Sequence, residues 1–176
     1  MQGTGVRETD QDRAATGDDD DVDLRLEAFL PYRLSVLTNK ISASLAAIYR
    51  ERFGISIPEW RVLANLGRFG PMSAVEVAAR GSMDKVRVSR TIAKMRDRGL
   101  VTRRTDPADN RASILTLSAE GRRMFNRIAP MALAWEAEFL APFDSDELAK
   151  LDDLMHRLNE RIDRFNHAGD ASPAEP

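Results

Sequence analysis

The sequence contains no cysteine and only two histidines, His156 and His167, among 176 residues. The missing cysteine excludes disulfides, thiolate metal ligands and thiol-based redox sensing within the chain. The two histidines fall in no cluster with ligand spacing, so no metal site is expected. There is no glycine-rich phosphate loop and no nucleophile paired with a base, so neither an enzyme nor a cofactor is expected. No apolar run approaches the roughly 20 residues that cross a bilayer. The N-terminus lacks the apolar stretch of a signal peptide. The default expectation is a cytoplasmic protein with no membrane partner.

Net charge is small only in the total. The formal net charge is -2, yet residues 1–23 carry eight acids and two bases, a net of -6, which leaves +4 for the remainder. Residues 1–23, "MQGTGVRETDQDRAATGDDDDVD", have too little apolar content to offset their ordering entropy and are expected to form a disordered acidic tail. Two readings of it stand: a competitor of nucleic acid for a basic patch, or a solvated extension. Residues 168–176 are expected to fray.

Apolar residues make up 43% of the chain, enough for a packed core. Leu34, Leu37, Ile41, Leu45 and Ile48 recur at helical spacing, which predicts a long first helix from about Pro31 to Phe53, ended by Gly54. Ser56 with Glu59, and Ser73 with Glu76, form capping boxes that start a second and a short third helix. "GRFGP" from Gly67 is expected to break the second, and Gly81 to end the third. Ser82 is expected to cap a longer helix stopped by Gly99. A short helix, a tight turn with Gly and a longer helix make a helix-turn-helix. "LVTRRT" and "ASILTLS" then flank the turn-forming "DPADNR" and predict a β-hairpin, the wing. Ser118 opens a further helix, which Pro130 and Pro142 should kink or break. Asp144 with Glu147 opens the last, whose apolar stripe runs through Leu148, Leu151, Leu154, Met155, Leu158 and Ile162. The expected fold is mainly α: a winged helix-turn-helix with long helices at both ends.

Within Ser82–Arg104 there are eight Lys or Arg against two Asp. At about 100° per residue, Val88, Ile92 and Met95 face a core, while Val86, Ser89, Arg90, Ala93 and Asp97 face away, with Arg87 and Lys94 beside them. Arg bonds guanine edges in a bidentate way, Ser meets bases or phosphates, and an aliphatic group touches a thymine methyl. Lys85, Lys94, Arg96 and Arg98 suit phosphates, which position without reading sequence. Arg111, at the wing tip, suits a narrow minor groove, with Asp109 to orient it or to hold the turn. The expected contacts of double-stranded DNA are thus Ser73, Lys85, Val86, Arg87, Ser89, Arg90, Lys94, Arg98, Asp109 and Arg111. The alternative is a winged-helix module for protein contacts, which calls for an apolar or mixed-charge face at these positions.

Three stretches, "SIPEWRVLANL", "MDKVRVSRTIAKMRDRGLVTRR" and "DPADNRASILTLSAEG", together resemble the MarR family of bacterial transcription regulators, over about residues 30–166. Asp84, Lys85, Val88, Ser89 and Arg90 carry its recognition-helix pattern, and Asp109, Asn110 and Arg111 its Asp-x-Arg wing motif. The resemblance implies a homodimer joined by a first helical region (24–55) and last helices (119–167), each subunit presenting one winged helix-turn-helix (56–118) to an inverted-repeat operator. It implies a repressor released by an effector. Without cysteine or a zinc cluster, a small organic effector is the expected input, an aromatic acid or its thioester. Its implied lining is Tyr32, Arg33, Trp60, Arg61, Met131 and Trp135, with an Arg for the carboxylate. Trp60 and Trp135 serve equally as plain core.

Overall fold

Capping chemistry sets most helix boundaries. The computed structural model describes residues 23–105 and 113–170. The acidic tail before Asp23, the wing tip with Asp109 and Arg111, and residues 171–176 therefore lie outside the described residues. The elements are α1 (Leu30–Phe53), α2 (Ile57–Phe69), β1 (Met72–Ser73), α3 (Ala74–Arg80), α4 (Lys85–Asp97), β2 (Val101–Thr105), β3 (Ser113–Leu117), α5 (Ala119–Leu140) and α6 (Ser145–Asp170). Both capping boxes form: Ser56 and Ser73 each accept the backbone N–H three residues on, and Glu59 and Glu76 reach back to the cap N–H groups. Each box satisfies two donors that a helix N-terminus otherwise leaves without a partner.

The chain divides into two compact units between Thr38 and Asn39, and α1 runs across the division. In the first unit a turn closes through the Ala28 N–H to Arg25 O bond at 3.0 Å and leads into α1. Leu24, Leu26, Phe29, Leu30, Tyr32, Leu34 and Leu37 are all exposed there.

The second unit holds one buried cluster. Ala46 and Tyr49 of α1, Val62, Leu63 and Leu66 of α2, Val88 and Met95 of α4, Leu115 of β3 and Ile128 of α5 all belong to it. A three-stranded antiparallel sheet in the order β1-β3-β2 closes one side. Val101 pairs with Leu117 and Met72 with Leu115, so apolar residues meet across both ladders. Ser118 caps α5 by accepting the Gly121 N–H at 3.0 Å, and its hydroxyl donates to Gly99 O at 2.6 Å. A Cβ at Gly121 would collide with the Leu100 carbonyl, so only glycine lets α5 leave the sheet here.

Helix α2 ends inside the expected "GRFGP" stretch: it runs to Phe69 and is capped at Gly70 with φ 86°. Gly67 lies within the helix as a packing residue: a Cβ there would lie 2.5 Å from the Phe125 ring. Three local expectations need correction. Ser82 does not cap α4. It sits in the turn with φ 47°, and Asp84 is the cap, accepting the Arg87 N–H at 2.7 Å. Pro130 does not break α5, which runs through it from Ala119 to Leu140. Finally, α6 runs to Asp170 and so takes in the first three residues of the expected frayed tail.

Candidate nucleic-acid interface

Helix α4 has two distinct sides. Val88, Thr91, Ile92 and Met95 are buried. Lys85, Val86, Arg87, Ser89, Arg90, Ala93, Lys94 and Arg96 are exposed. Val86 is 60% exposed and stands on the same side as the cations. The Thr91 hydroxyl donates to the Arg87 carbonyl at 2.8 Å, so a polar residue is buried without loss of a hydrogen bond.

The cations of this helix differ in their partners. Arg87 pairs with Asp84 at 3.7 Å, a surface contact in which both side chains are mostly exposed. Such pairs contribute about 0–1 kcal/mol and yield readily to a stronger anion. Lys85, Arg90 and Arg96 form no ion pair among the described residues. Ser73, at the start of α3, is half-buried, and its hydroxyl oxygen accepts the Glu76 N–H at 3.2 Å.

Arg98 departs from its expected role as a phosphate anchor. Its guanidinium turns inward and donates to Glu59 Oε1 at 2.7 Å, Gly54 O at 3.1 Å and Phe53 O at 3.3 Å. A planar fork with fixed donors fits three acceptors that converge in this way. Lys94 is exposed, but its Nζ also lies 3.4 Å from Glu59 Oε1. Glu59 is 1% exposed. Burial pushes its carboxyl up, but the Ser56 bonds, Arg98 and the charge of Lys94 more than offset this and hold it below the ordinary carboxylate range. From the sequence, Glu59 is fully accounted for as a capping-box residue. Its second role is absent from the local pattern, because Arg98 lies 39 positions away.

Arg103 is a cation that the sequence reading passed over. Together with Lys85 and Arg96 it lines a cleft of about 310 Å³ between α3, α4 and the sheet, floored by apolar residues such as Val88, Ile92 and Leu115. The signal was parity: Arg103 shares a strand face with Val101, which is buried, and pairs with Leu115.

The six residues expected around an effector serve varied ends. Tyr32 and Arg33 belong to the first unit and are exposed. Trp60 stands between Tyr49 and Phe125, with ring centroids at 5.6 and 6.3 Å. Arg61 donates to Gly81 O at 3.1 Å and so braces the turn before α4. Met131 is half-buried, and Trp135 stacks on Phe139 at 5.1 Å. Trp60, Arg61 and Trp135 are thus engaged in packing or bracing, and burial pushes the neighbouring Tyr49 phenol up.

A short helix, a turn, an exposed basic helix and a two-stranded wing define a winged helix-turn-helix. The family model described as MarR family matches residues 53–112. The HTH-type transcriptional regulator YwoH of Bacillus subtilis is 31% identical over 97 residues, which are 55% of this chain and 70% of that protein. The HTH-type transcriptional repressor Rv2887 of Mycobacterium tuberculosis is 26% identical over 74% of this chain and 91% of its own. Among solved structures, the MarR family transcriptional regulator SPO1453 of Silicibacter pomeroyi superposes with a TM-score of 0.69 at 28% identity, covering 80% of this chain and 99% of the other. The chain belongs to the MarR family of DNA-binding transcription regulators.

Proposed function

We propose that the protein is a sequence-specific repressor that binds an inverted-repeat operator as a homodimer. The observation that carries this reading is the outward face of α4, whose cations Lys85, Arg90 and Arg96 have no ionic partner among the described residues. Arg87, Ser89 and Arg90, with Val86 beside them, read base edges in the major groove. Lys85, Lys94, Arg96 and Arg103 take phosphates, and Ser73 donates its hydroxyl proton to another. Arg111, oriented by Asp109, enters the flanking minor groove. The relative named a repressor supports the negative sense of control. A protein-contact module fits less well, because the face carries a clear excess of positive charge.

Dimerisation is supported by α6, along which no residue is buried among residues 145–167. Its exposed stripe needs a second apolar surface, and another copy of the chain supplies one. Release by a small organic molecule, with an aromatic carboxylate or thioester as the class to try first, completes the reading. An effector acts only by favouring a dimer whose recognition helices no longer fit the half-sites.

Competition binding of specific against scrambled duplexes tests the DNA face. Arg90→Ala is expected to lose about 1–3 kcal/mol per half-site and to relax preference at one base pair. Arg111→Ala is expected to lose affinity together with a preference for A·T-rich flanks. Wild-type affinity and preference in both variants would refute the assignment.

A further inference from the structure

The inward turn of Arg98 places three chain segments at one point. Its guanidinium follows the last residue of α4 and bonds the carbonyls of Phe53 and Gly54, where α1 ends, and the carboxylate of Glu59, in the first turn of α2. Glu59 cannot drift, because Oε2 accepts the Ser56 N–H at 2.8 Å and the Ser56 hydroxyl at 2.5 Å, while Oε1 accepts from Arg98. Lys94, one turn before Arg98 on α4, approaches the same oxygen at 3.4 Å. The C-terminal half of α4 is therefore fixed through charged groups to the corner between α1 and α2, with the carboxylate out of water. Electrostatic contacts of this kind resist displacement more than an apolar contact does, because a small shift leaves a buried charge without its partner.

We infer that the Arg98–Glu59 clamp is a specificity determinant: it fixes the recognition helix to the end of α1 and so sets the half-site spacing that the dimer accepts. The inference rests on the proposed reading of a dimer on an inverted repeat. Arg98 and Glu59 are positioning residues, acting through α4 and touching no base. One added base pair moves a half-site by about 3.4 Å and turns it by about 35°, which a rigidly held helix cannot follow. A helix freed at its C-terminal end, though still held by Val88, Ile92 and Met95 in the core, has more room to follow it.

The experiment uses the inverted-repeat duplex that the wild-type protein selects from a random library, together with versions one base pair longer and one shorter at the centre. The wild type should lose about tenfold in affinity, the scale of one lost base-pair contact, for either change. Arg98→Lys and Glu59→Gln should flatten this penalty to less than about threefold, while keeping the same preferred bases within each half-site. Thermal unfolding of each variant separates stability from spacing, since loss of folded protein weakens all three duplexes in proportion. Arg98→Lys keeps the charge but lacks a fork that reaches three acceptors, so it loosens the clamp even if Glu59→Gln fails to fold. A spacing penalty that stays sharp in the folded variants would overturn the inference alone. A wild type that selects no symmetric site would overturn the dimer reading and the inference with it.

Discussion

Helices α4 and α6 are both amphipathic and both rich in charge, but they resolve their two faces in opposite ways. Helix α4 buries Val88, Thr91, Ile92 and Met95 inside its own subunit and leaves most of its cations without a local acid. On α6 the acids outnumber the bases, seven Asp or Glu to four Lys or Arg, and two of those bases pair one turn away: Arg157 with Asp153 at 3.1 Å and Arg164 with Glu160 at 3.6 Å. Its apolar stripe is what lacks a partner, with Leu151, Leu154, Met155, Leu158, Ile162 and Phe165 each 44–66% exposed. At about half exposure, six such side chains forgo on the order of 5–10 kcal/mol of burial. What each helix leaves unsatisfied indicates what it meets: unpaired cations suit a polyanion, and an open apolar stripe suits another apolar stripe.

The largest effect is expected from breaking the α6 side of this contrast. Ile162→Asp should convert the proposed dimer to a 19.7 kDa monomer in light scattering. Retention of DNA should then fall by about 100-fold or more, because two half-sites no longer act together.

Next in size are two arginines of one segment that should part company. Arg98→Ala leaves the Glu59 carboxylate without its best partner and should lower stability by about 2–4 kcal/mol in denaturant unfolding. Arg90→Ala should leave stability within about 0.5 kcal/mol of wild type and show its loss only in DNA binding. Equal unfolding midpoints for the two variants would contradict the inward assignment of Arg98. Gly67→Ala tests packing alone: its Cβ would press on Phe125, for an expected loss of about 1–3 kcal/mol.

The smallest effect is the pH dependence of the clamp. The folded-state pKa of Glu59 lies below its ordinary value. Its contribution is therefore complete above the ordinary carboxylate pKa of about 4.3 and is lost as pH falls from there through the depressed folded value. Stability should decline over that acid window, and Glu59→Gln should make the decline shallower. Parallel pH profiles would remove Glu59 as the source.

Much of the fold was legible because its signals are local. Ser56, Ser73 and Asp144 each announced a helix start through a partner three residues on, Ser118 did so as a capping residue alone, and the period change after Gly99 announced the hairpin. The two-residue β1 was not legible, since so short a strand has no periodicity and exists only through its pairing with β3. Ser82 misled because both it and Asp84 are good capping residues. The choice was made by the Gly81 turn, which places Ser82 at positive φ. For the site, the outward face of α4 followed from helical phase. Arg98 did not, because phase fixes where a side chain starts and not whether a long guanidinium folds back to a buried carboxylate 39 residues away in sequence. The packing partners of Trp60 and the bond from Arg61 to Gly81 were hidden for a related reason, since spacing alone does not reveal contacts between distant segments.

The most direct measurement of the central claim is to sequence the duplex fragments that the protein retains from a random library. The account predicts an inverted repeat whose half-site centres lie about 10 base pairs apart, with A·T-rich flanks where the wing reaches. Retained fragments that share only a direct repeat, or no sequence at all, would contradict it.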